Sequence, residues 1–169
     1  MIASFPPVAA ADARLLILGS IPGRESLRQQ QYYAHPRNAF WRIIGEIFGA
    51  ASDLDYAGRL ELLTASGIAL WDVIGNCRRQ TSLDSDIEPE SVAVNDFTRF
   101  LAAHRLISAV CFNGGTAEAT FRRRIMPTLD PGLRPLALHR LPSTSPAHAG
   151  MPYEEKLARW HAVLSALLH

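Results

Sequence analysis

Leu15-Leu16-Ile17-Leu18 is a continuous apolar run that stops at Gly19 and opens into the long segment IPGRESLRQQQYYAHPRN. An unbroken apolar run fits a strand buried on both faces, as parallel strands are. The loop after it is punctuated by Gly and Pro and carries Ser20, Pro22, Gly23, Ser26, Tyr32, Tyr33, His35 and Asn38. Loops that leave the carboxyl end of a parallel strand are where open α/β sheets place their sites. A plain connection has no need to be this long, polar and aromatic.

The rest of the chain repeats the pattern. Strands are expected over 14–19, 68–73, 107–112 and about 134–141, and helices over 38–48, 53–65, 92–104, 116–124 and 152–168. Asn38 caps the first helix, Gly67 stops the second, and 127–133 is a turn region. Residues 1–13 read as a loosely packed arm, and 74–90 as polar and irregular. Strand and helix in alternation predict one α/β domain with a central parallel sheet and helices on both faces. A length of 169 residues suits a single core. All four strand ends then point to one edge: Ser20 onward, Trp71-Asp72, Asn113, and Leu141 to His148. Their convergence predicts a shared cleft.

Composition narrows what that cleft can be. No apolar run approaches the roughly 20 residues of a membrane span. The stretch MIASFPPVAAADAR has neither a basic leader nor an apolar core, so no signal peptide is expected and a cytoplasmic location follows by default. Cys77 and Cys111 are too few for a disulfide framework and read as buried thiols. No His, Cys or carboxylates stand at metal-ligand spacing, so no metal and no cofactor are expected. The net charge is +1, yet 16 of the 17 basic residues are Arg, whose planar fork suits phosphate. Neither G-x-x-x-x-G-K-[ST] nor G-x-G-x-x-G occurs, which argues against an ATPase or a Rossmann dehydrogenase. Absence of G-x-S-x-G argues against a serine hydrolase.

At the cleft, Asn38 offers a carboxamide that can position a water or a base edge as well as cap a helix. Tyr33 can stack on a nucleobase, and His35 reads as a hydrogen-bonding residue. The hydroxyls of Ser143, Thr144 and Ser145 can hold phosphates. Arg37, Arg78, Arg79 and His148 are further phosphate candidates, with a solvated surface as the alternative.

Taken together, ILGSIPG, YYAHPRNAFW and LPSTSPAHAG resemble the uracil-DNA glycosylase superfamily, and within it the deoxyinosine (hypoxanthine) glycosylase branch. The resemblance spans the chain from the first strand to the last loop. It implies a three-layer α/β/α sandwich around a four-stranded parallel sheet. It also implies a damaged base flipped from double-stranded DNA into a pocket and hydrolysed off its sugar. By this likeness Asn38 is the catalytic residue and Tyr33 the aromatic against the extruded base. Gly19, Ser20, Ile21, Pro22 and Gly23 line the pocket, with His35, Trp71, Asp72 and Asn113 beside them.

Three positions depart from the family pattern. Ile21 stands where many relatives carry a water-activating Asp or Asn. Leu141 stands where many carry a His or Asn donor to the departing base, leaving His148, Ser143 or Ser145 as replacements. Ser145 occupies the place of a wedge residue that is often Leu. Hypoxanthine tolerates such losses, because its purine nitrogens can accept protons as it leaves. Uracil or xanthine excision and a noncatalytic nucleic-acid-binding module are the alternatives. A monomer suits a protein that scans duplex DNA.

Overall fold

A computed structural model describes residues 1–49, 53–135 and 137–168. In chain order its elements are β1 (Ile2–Ala3), β2 (Leu15–Gly19), α1 (Arg24–Gln29), α2 (Phe40–Phe48), α3 (Tyr56–Ala65) and β3 (Ile68–Asp72). They continue with β4 (Ile74–Cys77), β5 (Ala93–Val94), α4 (Phe97–Ala103), β6 (Ala109–Asn113), α5 (Gly115–Arg124), β7 (Ala137–Leu141) and α6 (Tyr153–Leu167). The main sheet has the order β3-β2-β6-β7, and every pairing in it is parallel. This is the expected three-layer sandwich.

The apolar runs become strands because both faces of the sheet are covered. Alternate residues of β2, β3 and β6 sort into two cores. Leu15, Ile17, Ile68, Leu70 and Cys111 pack with Phe40, Trp41 and Ile44 of α2, Leu63 of α3, and Trp160 and Leu164 of α6. Leu16, Leu18, Ala69, Trp71, Val110 and Phe112 pack with Phe97, Phe100 and Leu101 of α4 and Phe121 of α5.

Several boundaries move. The helix expected over 92–104 is only Phe97–Ala103, capped by Asp96, whose carboxylate accepts from the Arg99 N–H at 3.0 Å. Ala93–Val94 instead forms β5, a strand of the small antiparallel sheet β1-β4-β5. The long first loop contains α1, which the polar sequence RESLRQ did not announce. The strand expected over 134–141 is described from Ala137, and Leu136 lies outside the described residues.

The arm over 1–13 is not loosely packed, and that expectation is corrected. Ile2 and Ala3 pair with Cys77 and Asn76, and Val8 bridges Leu70 through two 2.8 Å bonds. The Phe5 carbonyl accepts from Trp71 Nε1, and the Pro6 carbonyl from the Tyr32 hydroxyl. Buried backbone groups need partners, and the arm supplies them to β3 and to the first loop. Among the described residues, no helix is long and apolar enough to cross a membrane.

Candidate active site

One row of residues at the carboxyl edge of the main sheet founds the site. Gly19 pairs with Asp72, Leu18 with Phe112, and Asn113 with Leu141, so Asp72, Gly19, Asn113 and Leu141 stand side by side on one face. That face is the one covered by Phe40 and Trp160. Because Gly19 has no side chain, Asp72 and Tyr33 can close in over its backbone. A Cβ placed there would sit 2.6 Å from Asp72 Oδ1 and 2.9 Å from the Tyr33 hydroxyl.

These groups border a cavity of about 330 Å³. Gly19, Ser20, Ile21, Pro22, Gly23, Tyr33, His35, Asn38, Asp72, Asn113, Ser143, Thr144, Ser145 and His148 all line it. The distant motifs therefore meet, as their convergence predicted. A second cavity, about 510 Å³, shares Tyr33, His35 and Asn38 and runs along α2 and α3, but it holds none of the strand ends. The smaller one has the convergent polar groups expected of a binding site.

Backbone bonds join the two motif loops. Ala39 donates its N–H to the Thr144 carbonyl at 3.0 Å. Asn38 Oδ1 accepts from the Phe40 N–H at 3.0 Å, two residues on, fixing its side chain in an Asx turn at the start of α2. Among the described residues its Nδ2 group forms no hydrogen bond and remains available to the cavity that Asn38 lines. Tyr33 has a left-handed backbone, φ 54°, unusual for a side chain of its size. Its neighbours hold it there. Tyr32 donates its N–H to the Tyr56 hydroxyl and accepts from Trp41 Nε1, and the Ala34 N–H donates to Ser26 Oγ. The Tyr33 ring lies 4.2 Å from that of Phe40, centroid to centroid.

Some expected site residues have other tasks. Trp71 is corrected: consecutive strand residues face opposite sides, so Asp72 faces the cleft and Trp71 packs on Phe97 and Phe100. Arg79 is corrected as a surface phosphate contact. It is buried, donates Nη2–H to the Pro22 carbonyl at 2.7 Å, and has no bond to Nε or Nη1 among the described residues. Thr144 is 1% exposed, so its side chain is not a surface hydroxyl. Its N–H donates to Asn113 Oδ1 and its Oγ1 accepts from Asn113 Nδ2, which locks that carboxamide. The Ile21 side chain packs with Ile74 and Cys77, and Leu141 joins the main core. Arg78 pairs with Glu88 at 2.7 Å outside the cavity lining. Arg37 and His148 are exposed, and His35 Nδ1 accepts from the Arg37 N–H.

The residue that sequence reasoning missed is Asp84. It lies in the irregular 74–90 stretch, and its Oδ1 accepts from Ser20 Oγ at 2.8 Å inside the same cavity. Only the density of acidic residues in TSLDSDIEPE hinted at it.

Residues 6–166 match the model of the "Uracil DNA glycosylase superfamily". The chain belongs to the uracil DNA glycosylase superfamily. It is 40% identical over 111 residues to a hypoxanthine DNA glycosylase of Methanosarcina barkeri, covering 65% of this chain and 69% of that one. A hypoxanthine DNA glycosylase of Methanosarcina acetivorans is 40% identical over 114 residues, 67% of this chain and 71% of that one. A solution NMR structure of a Methanosarcina acetivorans protein, provisionally named a uracil DNA glycosylase, superposes with a TM-score of 0.78. Its identity is 35%, and all of both chains is covered.

In this superfamily member the cavity floor is electrostatically unusual. Burial pushes the Asp72 carboxyl up to about 7; the nearby Asp84 carboxylate adds to this and Arg79 opposes it. Asp84 is raised chiefly by crowding of its carboxyl, against the Ser20 hydrogen bond and Arg79, although the residue as a whole keeps an exposed surface. Burial lowers Arg79 and raises the Tyr33 hydroxyl.

Two outcomes follow at this floor. A folded-state pKa above the unfolded one means that the native state holds the extra proton. The Asp72 contribution to stability is therefore intact below the ordinary carboxylate range and is lost as the pH rises toward 7. Asp72→Asn is expected to flatten this part of the pH profile of the urea midpoint. Gly19→Ala is expected to cost about 1–3 kcal/mol in urea denaturation, because the methyl meets two anchored groups. By displacing Asp72 and Tyr33 it should also remove most activity.

Proposed function

We propose that this chain is a monofunctional DNA glycosylase that releases hypoxanthine from deoxyinosine in duplex DNA. The observation that carries the reading is the 40% identity to two proteins named hypoxanthine DNA glycosylases, combined with the meeting of Asn38, Tyr33 and the Ser143 turn at one cavity. A volume of about 330 Å³ lies at the lower end of small-molecule sites, which run from about 300 to 1,000 Å³. That is the scale of one extruded nucleoside.

In this reading the base leaves the stack and enters past Tyr33, whose ring offers a stacking face. Asn38 positions a water beneath the sugar, and the bond breaks through an oxocarbenium-like sugar stabilised by fixed polar groups. Water adds to the sugar, its displaced proton ends on the released base, and an abasic site remains. His148 of the cavity lining and the exposed Arg37, between His35 and Asn38 in the chain, contact flanking phosphates, as does the backbone of the Ser143–Ser145 turn. The chain works as a monomer on cytoplasmic DNA.

Duplexes with one hypoxanthine, uracil or xanthine, treated with protein and then alkali, test this. Strand breaks at hypoxanthine are expected. Breaks at uracil or xanthine alone would replace the substrate, and binding without breaks would leave a noncatalytic module.

A further inference from the structure

Of the carboxyls that line the cavity, Asp72 and Asp84 differ most in their surroundings. Asp72 belongs to the deep row of strand ends and is 3% exposed. Its Oδ2 has no hydrogen-bond partner among the described residues, and neither does the Tyr33 hydroxyl beside it. The Tyr33 hydroxyl and the other carboxyl oxygen, Asp72 Oδ1, lie within 3 Å of the point where a Gly19 side chain would begin. Asp84 stands at the mouth, keeps an exposed surface, and is anchored by Ser20 Oγ at 2.8 Å.

A buried polar atom left without a partner costs free energy, so its retention at a cavity floor marks it as facing a ligand. A base tethered to DNA enters with its far edge deepest and its sugar nearest the mouth. The deep carboxyl therefore meets the base and the shallow one meets the sugar.

Resting on the glycosylase reading above, we infer that Asp72, as a neutral carboxyl, hydrogen-bonds the edge of the extruded base while Asp84, as a carboxylate, faces the sugar. The ligand chemistry of the deep position is a lactam, an N–H beside a C=O. A neutral carboxyl matches it, because it has one donor and one acceptor. Deamination creates that edge in hypoxanthine, uracil and xanthine alike. The charge of Asp84 complements the cationic character that the sugar gains as the bond breaks.

The electrostatics of the deep carboxyl agree. Burial, with the charge of Asp84 behind it, favours the neutral form of Asp72. Asp84 is raised as well by burial of its carboxyl, with the Ser20 hydrogen bond and Arg79 working against the rise. The groups facing Asp72 are Tyr32 and Tyr33 from the first loop, Asp84 from the segment after β4, and Arg79 behind them. Arg24, Glu25, His35 and His148 complete the charged and titratable lining of the cavity among the described residues.

The chemistry balances without a further reactant. The glycosidic bond breaks with its electrons on the base. Water adds to the sugar and loses one proton to Asp84. That proton passes to the released base, while Asp72 keeps its own.

The test compares D72N and D84N on hypoxanthine duplex across pH, under single turnover. Wild-type activity is expected to fall as the pH rises through about 7. D72N, with an amide that donates more weakly and does not titrate, is expected to lose about tenfold at pH 6 and to show no alkaline fall. D84N is expected to lose about a hundredfold or more, with duplex binding retained. An alkaline fall that persists in D72N, or a D84N protein as active as wild type, overturns the assignment.

Infrared difference spectra of wild type against D72N give a readout apart from turnover. A protonated-carboxyl band lost from wild type at neutral pH supports the inference, and its absence refutes it. Should the wild type release none of the three bases while that band is present, the glycosylase reading fails and the neutral floor carboxyl stands.

Discussion

Asn38→Ala is expected to lower hypoxanthine release by about 10² to 10³-fold, the usual cost of losing one preorganised polar group that acts on the transition state. Its Oδ1 is occupied by the Phe40 N–H, so the side chain is held before substrate arrives. Alanine removes both the turn and the Nδ2 group. The turn alone is worth about 1 kcal/mol, too little to unfold a protein of ordinary stability. Asn38→Asp separates the two effects, because a carboxylate keeps the acceptor for Phe40 and lacks the donor. Single-turnover rates and urea midpoints of both variants decide it. An alanine variant that folds and turns over at the wild-type rate would remove Asn38 from the mechanism.

Phe40→Ala is expected to be the most destabilising substitution near the site, at about 3–5 kcal/mol. Phe40 is fully buried, and its ring meets Tyr33 at 4.2 Å, Trp41 at 4.8 Å and Trp160 at 5.9 Å between centroids. It is the first residue of α2 and the wall behind the strained Tyr33. For a chain of this size the loss lowers Tm by on the order of 10 °C. Phe40→Leu, which fills most of the volume, should recover much of the stability and less of the activity, since Tyr33 loses its aromatic backing. Calorimetry beside excision rates would show that split.

The sheet was legible because LLIL, IALW and AVCF are apolar runs too continuous for a surface element. The cleft was legible because their ends fall on Gly19, Asp72 and Asn113, whose types do not belong in a core. The helix Arg24–Gln29 was not, since five of its six residues are polar and packing, not periodicity, makes it fold. Strict alternation in a strand allows only one of Trp71 and Asp72 to face the cleft, and the polar one is the better choice for a site edge. Arg79 and Asp84 were beyond reach of local pattern. Each takes its meaning from a partner more than fifty residues away: the Pro22 carbonyl for one, the Ser20 hydroxyl for the other.

The docked arm has a consequence for association. β3 is one border of the main sheet, and an unsatisfied border strand invites a second molecule to add its own. Val8 already occupies the Leu70 backbone from that side, so strand exchange there must first peel the arm away. The opposite border, β7, carries the exposed Arg140, and like charges repel when two such borders meet. Concentrated solutions of the protein should therefore resist fibril growth until the first eight residues are displaced.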